Sequence, residues 1–334
     1  MGSCVERQGP AREHQARRAC SAGWRLLGAL GVAGGALACA GASAPSRTQA
    51  ELEALSESWV ALNRETFSNI LEHALAVDEF VCTPEPNRVF FGDTPAGVRL
   101  IRGSMPHYNF YYGPMQYSVR RQTGAWHVGA SIAVQLPELS GRMELPDCSL
   151  APKLDGAVEC SGQPFTSSRS RDVCPSVGHF TAPVTRHNVH VLLRHWTEHV
   201  SDYYNRDAHA QRLPLVYEFE FIPVEAGQAP VMASLVVPLA TTCGRTPYFH
   251  AMRSGWSLPI LAHEIGHVLG LLDEYEMFSG IFEFYPKTPF AGAERSRMGL
   301  SMREESQVLP LHHYLVLRRY FCPEPTSAPQ GVRF

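Results

Sequence analysis

The chain has 334 residues, 45% of them hydrophobic and 18% charged, which is enough apolar material for a sizeable buried core and too little charge for a disordered chain. Its 29 Lys+Arg and 32 Asp+Glu leave a net charge of −3. That balance argues against nucleic acid or an acidic membrane surface as a partner.

Residues 1–45 read as a targeting segment, not as fold. Arg7, Arg12, Arg17, Arg18 and Arg25 precede the apolar run Leu26–Ala38, which is too short to span a bilayer but matches a signal-peptide core. The small residues of ALACAGASA supply cleavage options, so the chain is expected to be exported, either secreted or associated with the cell envelope. Cys39 adds the expectation of a lipoprotein, although Ala36 stands where Leu, Val or Ile is usual. Membrane attachment through an N-terminal lipid or an uncleaved anchor therefore stays open. N-myristoylation is rejected, because Glu6 occupies the position that needs Ser or Thr. Beyond Cys4, Cys20 and Cys39, the cysteines Cys82, Cys148, Cys160, Cys174, Cys243 and Cys322 form an even set, read as three disulfides in an exported chain. Cys148 and Cys160 flank a turn-rich stretch and are the first pair expected; the others cannot be assigned from sequence.

Residues 46–79 are expected to be a helical linker or stalk, with Leu52, Leu55, Trp59, Leu62, Phe67, Ile70 and Ala74 on one stripe. From 80 to 172 aromatic and β-branched residues alternate with polar ones in YNFYYG, QYSVRR and WHVGASIAVQL, which predicts a β-rich region of short strands. The polar stretch 161–172 marks the expected boundary to a second region, 173–334. There, residues 187–206 predict a helix with Val189, Leu192, Leu193, Trp196, Val200 and Tyr203 on one face. LVYEFEFIPV then alternates as a half-buried strand, and VMASLVVPLATT reads as a more central one. The fold class expected from this order is α+β: a mixed sheet plus a helix bearing the motif below, preceded by the β-rich region.

That motif is LAHEIGHVLGLLDEY, residues 261–275. Ser257 can cap a helix starting at Leu258, with Pro259 tolerable in its first turn. Helical spacing puts His263 and His267 on one face, where two imidazoles can reach a single zinc ion. Glu264, displaced around the helix, suits a general base for water. Gly270 suits the helix end, after which the chain can turn back and present Asp273 as a third ligand. The stretch is apolar nearly all round, so its polar groups would be buried and need a partner such as a metal. The first His-Glu-x-x-His part alone would arise by accident in roughly a few per cent of such chains; with Gly270 and Asp273 this falls to about one in several thousand.

This pattern resembles the metzincin zinc peptidases, in the minority form whose third ligand is aspartate. The DEY at 273–275 is also similar to immunoglobulin-A-peptidase-like metallopeptidases. The resemblance implies a zincin-like catalytic domain over 173–334 and a methionine turn beneath the metal. Met298, 31 residues after His267, is the candidate, with Met302 as substitute and an apolar helix at 308–321 following it. Leu300 stands where some metzincins carry a tyrosine that helps hold the transition state, and Tyr275 is a possible replacement.

The function expected is an exported zinc-dependent endopeptidase acting on protein or peptide substrates. His263, His267 and Asp273 are the Zn²⁺ ligands and Glu264 is the base. A substrate cleft is expected under an edge strand at 216–222, by analogy with strand addition. Alternatives are a zinc-stabilised binding or adhesion module without turnover, and a zinc amidase acting on cell-wall amide bonds. Asp273 has its own alternative as a turn-capping residue, with Glu274 or Glu283 as ligand instead. His312 and His313, adjacent on a helix, are read as surface or core residues, and His195–His199 as structural.

Overall fold

A computed structural model of the protein describes residues 82–93, 97–103, 115–122, 124–156, 160, 174, 180–225, 227–228, 233–244, 251–274, 295–299 and 303–323. The targeting segment, the 46–79 linker and the 161–172 boundary stretch lie outside them. The described elements begin with α1 (Pro86–Phe91) and β1 (Gly97–Gly103), followed by β2 (Met115–Gln122) and β3 (Ala125–Gln135). After β4 (Arg142–Leu145), a 3-10 turn over Cys148–Lys153 and β5 (Phe180–Pro183), the long helix α2 runs from Arg186 to Ala210. Then come β6 (Leu215–Val224), β7 (Leu235–Ala240), β8 (Met252–Arg253), α3 (Leu258–Val268) and α4 (Pro310–Phe321).

The protein is α+β; among the described residues it has a mixed six-stranded sheet and a separate two-stranded sheet of β4 and β5. β3 is the axis of the larger sheet. One of its edges pairs in parallel with β6 from Trp126↔Leu215 to Gln135↔Val224. The other is shared end to end by antiparallel β2 (Gln122↔Ala125 to Ser118↔Gly129) and parallel β7 (Ile132↔Leu235 to Gln135↔Pro238). A division near 161–172 would thus separate β3 from both parallel partners. The β-rich region is not a module apart, because its longest strand is completed by strands that follow α2. Local alternation identifies a strand but carries no record of a parallel neighbour so distant in sequence.

The expected helix at 187–206 is α2, extended at both ends and capped by Thr185, whose Oγ1 accepts from Asn188 N at 3.1 Å. Its apolar stripe, Val189, Leu192, Leu193, Trp196, Val200 and Tyr203, is buried. Trp196 meets Phe221 and Tyr204 meets Phe219 edge-on, with ring centroids 5.5 and 5.2 Å apart. Tyr217, Phe219 and Phe221 alternate with exposed Glu218 and Glu220, as expected of a half-buried strand.

Among the described residues β6 pairs with β3 alone, but its other edge is not free. Thr197 Oγ1, Ser201 Oγ and Asn205 Oδ1, one turn apart on α2, accept from the N–H groups of Phe221, Phe219 and Tyr217 at 3.0, 2.9 and 2.7 Å. Asn205 Nδ2 also donates to Tyr217 O at 3.0 Å. The expectation that substrate adds to 216–222 is therefore corrected: α2 already takes the outward N–H groups of Tyr217, Phe219 and Phe221 that such a substrate strand would need.

Three disulfides join Cys82 to Cys322, Cys148 to Cys160 and Cys174 to Cys243, with Cα separations of 5.7, 5.8 and 6.0 Å. They include the pair expected from sequence and fit an oxidising, exported environment. The first fastens α4 to the segment preceding α1, where Tyr314 Oη also donates to Pro84 O at 2.7 Å and Arg318 Nη1 to Cys82 O at 2.8 Å. Among the described residues no helix is long and apolar enough to cross a membrane.

Candidate metal centre

α3 is buried along nearly all its length, His263 and His267 included. Ser257 takes the N-cap position, although its side chain makes no capping hydrogen bond, and Pro259 sits in the first turn. The helix ends at Gly270, whose φ of +79° is the left-handed region that glycine adopts without a side-chain penalty. Gly270 N donates to His267 O and Leu271 N to Gly266 O, both at 2.9 Å, which closes a Schellman turn. This turn reverses the chain and returns Asp273 to the histidine face.

His263 and His267 lie with ring centroids 4.9 Å apart and planes at 87°. Each ring is oriented through Nδ1: His263 against Arg297 O at 2.9 Å and His267 against Leu271 O at 2.8 Å. A carbonyl only accepts, so Nδ1 of each ring carries the hydrogen, and in the neutral imidazole the lone pair is on Nε2, the nitrogen on the Asp273 side. Asp273 Oδ1 lies 3.0 Å from His263 Nε2 and 3.3 Å from His267 Nε2. It is buried and makes no hydrogen bond of acceptable geometry. The ligand atoms of these three residues all fall within 4.8 Å of one another, so the group can hold a metal ion. Two imidazole nitrogens and a carboxylate oxygen converging in a buried pocket favour a positive charge among them, a metal ion or a proton.

The electrostatics agree. Burial alone would lower the pKa of His267, but the Asp273 and Glu264 carboxylates and the Leu271 carbonyl outweigh it and raise the pKa to about 9. Burial would likewise raise that of Asp273, yet the two imidazoles hold it well below the ordinary carboxylate range. The pocket attracts positive charge, and a proton on His267 competes with a metal for the same lone pair.

Glu264 is half-buried and stands outside the three-ligand group, close enough to act on His267 through its charge. Met298 is fully buried beneath α3: a Cβ at Gly266 would come within 2.4 Å of its sulfur. The segment around it is anchored by Arg297, whose Nη1 donates to Arg303 O at 2.7 Å and Nη2 to Ser306 O, with the guanidinium 4.8 Å from the Tyr203 ring centroid.

Glu274 does not join the ligands. Its buried carboxylate accepts from Ser296 Oγ and His312 Nε2, the latter at 2.7 Å, and its N–H donates to Met298 O at 2.9 Å. His312 and His313 are both buried, not at the surface, and they face different neighbours: His313 Nδ1 is 2.7 Å from Tyr217 Oη. The Glu274–His312 contact was not visible in sequence, because its partners are 38 positions apart and neither sits in a recognisable pattern. Met302, Tyr275, Leu300 and Glu283 lie outside the described residues. No protein-family model, curated protein or solved structure matches the chain.

Proposed function

We propose that the chain is an exported zinc-dependent endopeptidase with a zincin-like, metzincin-related catalytic unit. The observation that carries this is a buried group of three residues able to hold a metal ion, His263, His267 and Asp273, which no fourth side chain joins among the described residues, with a carboxylate, Glu264, one residue from the first. Structural zinc sites are ordinarily closed by four protein ligands, whereas three leave a position for water or substrate. Two imidazole nitrogens and one carboxylate oxygen suit zinc in charge and in ligand type. When bound, the zinc ion supplies Lewis acidity, which lowers the pKa of coordinated water toward neutrality and polarises a carbonyl.

The remaining chemistry belongs to the side chains. Arg297 O and Leu271 O keep the two histidines in the tautomer that leaves Nε2 available. Asp273 supplies the negative charge that offsets the cation. Glu264 takes the proton of the attacking water and returns it to the leaving amine. Met298, packed against Gly266, supports α3 from below as the resemblance to metzincins implies. Export agrees with the three disulfides, and the N-terminal segment would be the signal that directs it, with or without a lipid on Cys39.

The burial of all three ligands favours a second reading, a metal-stabilised binding module that turns nothing over. Glu264→Gln separates the two. The peptidase reading expects zinc content and melting temperature to be retained and cleavage of a mixed-protein substrate to drop about 10²–10⁴-fold. A zinc-loaded Glu264→Gln protein that still cleaves would end it, as would a zinc-loaded wild type that cleaves nothing. Parallel digestion of casein and of purified cell wall distinguishes peptide bonds from cell-wall amides.

A further inference from the structure

Asp273 is delivered by a segment without helix or strand, residues 271–274, and such a segment does not by itself hold a carboxylate steady. One face of α4 grips this turn at both of its ends. At the start, Arg319 Nη1 donates to Leu269 O and Nη2 to Gly270 O, each at 3.2 Å. At the end, His312 Nε2 meets Glu274 Oε1 at 2.7 Å. The seven positions separating these residues are two helical turns, which places them on one face. Leu309 N donates to His312 Nδ1 at 3.0 Å, so that nitrogen carries no hydrogen and the ring proton is on Nε2, directed at Glu274. Glu274 in turn takes Ser296 Oγ on its second oxygen and gives its N–H to Met298 O, which ties the same point to the segment under α3. A Cβ at Gly270 would fall 1.9 Å from Arg319 Nη1, so the guanidinium occupies space that only glycine leaves open.

We infer that α4 is a positioning clamp for the third ligand: His312, through Glu274, and Arg319, through the Leu269 and Gly270 carbonyls, hold Asp273 at the distance from His263 and His267 that a metal requires. This rests on the reading of His263, His267 and Asp273 as the metal ligands. His312 bonds to Glu274 and Leu309, not to His263, His267 or Asp273, and acts through those neighbours, so it is a positioning residue. Its effect belongs in metal affinity, where loss of such a partner typically costs 10–100-fold.

His313 is the internal control. It is adjacent in sequence and equally buried, but faces Tyr217 on β6 instead of the turn. The experiment measures zinc affinity of the full-length oxidised chain by competition with a chelating indicator, alongside melting temperature. His312→Phe keeps ring volume and removes both nitrogens; it is expected to weaken zinc binding about 10–100-fold. His313→Phe should alter melting temperature by a similar amount while leaving zinc affinity within about twofold of wild type, since no ligand-bearing segment loses a partner. His312→Gln, which restores a donor toward Glu274, should recover most of the affinity. In an Asp273→Ala background, His312→Phe should add nothing further. Should Phe at 312 prevent folding, Glu274→Met gives the same reading, because a side chain of similar length without the carboxylate accepts from neither Ser296 nor His312. A wild-type chain that binds no zinc would overturn the metal centre and the clamp together. A wild type that binds zinc with His312→Phe equally tight, or with His312→Phe and His313→Phe equally weakened, would overturn the clamp alone.

Discussion

Two helices of this protein, α2 and α3, carry a pair of histidines four residues apart, and the two pairs differ in burial and in what orients their rings. On α3 the rings of His263 and His267 are 4.9 Å apart; on α2 those of His195 and His199 are 4.6 Å apart. Each pair even has an aspartate near an Nε2: Asp273 at 3.0 Å from His263 and Asp147 at 3.2 Å from His195. On α3, however, both rings are buried, both Nδ1 atoms are directed at carbonyls, and one carboxylate oxygen serves both Nε2 atoms. On α2, His199 is 43% exposed and turns toward Asp202 at 3.9 Å, while Asp147 meets His195 alone. Histidine spacing is thus permissive. Orientation through the second nitrogen and a shared carboxylate make the centre.

The largest difference expected between the two pairs is in metal binding. His267→Ala should reduce zinc affinity by 10³-fold or more, on the order of 4 kcal/mol at about 1.4 kcal/mol per decade, because one of three ligands is removed. His199→Ala should leave zinc stoichiometry and affinity unchanged. Equilibrium dialysis with metal analysis checks both, and loss of zinc from the His199 variant would erase the distinction. A smaller effect is expected from the turn that only α3 possesses. Gly270→Ala forces a side chain into the left-handed region and against Arg319, and should cost about 1–3 kcal/mol in denaturant unfolding as well as weaken zinc. An unchanged unfolding midpoint would show that Arg319 moves aside freely.

The smallest effect lies on α2. The nearby His195 imidazole, with Nε2 3.2 Å from Asp147 Oδ2, and the Ser149 N–H, which donates to Oδ1 at 2.8 Å, hold the Asp147 carboxyl well below the ordinary carboxylate range, against the opposing push of burial. A depressed carboxylate pKa stabilises the fold above the unfolded value of about 4, and that contribution fades as the pH falls below it. Asp147→Asn should therefore lower the melting temperature slightly at pH 7, by an amount that shrinks toward pH 3, and leave zinc affinity alone. A melting difference that instead grew with acidification would contradict the assignment of Asp147 as the ionised partner.

The contrast also explains what was legible in sequence. The α3 motif could be read because helix spacing, the glycine stop and the aspartate all lie within residues 263–273, inside the reach of local geometry. The amphipathic stripe of α2, the alternation of β6 and the short Cys148–Cys160 link were legible for the same reason. Contacts closed across the fold were not. The pairing of β3 with β6, the covering of the β6 edge by Thr197, Ser201 and Asn205, and the grip of α4 on the Asp273 turn each join segments whose patterns look complete on their own. The covered edge is the instructive case: alternation suggested a strand open to substrate, while the polar residues that close it are spaced along another element.

Anomalous diffraction at the zinc edge, from crystals of the zinc-loaded chain, tests the central claim most directly. It should show one strong peak about 2.0–2.2 Å from His263 Nε2, His267 Nε2 and an Asp273 oxygen, with no fourth protein ligand. A peak elsewhere, or one closed off by a fourth side chain, would contradict a catalytic metal at this centre.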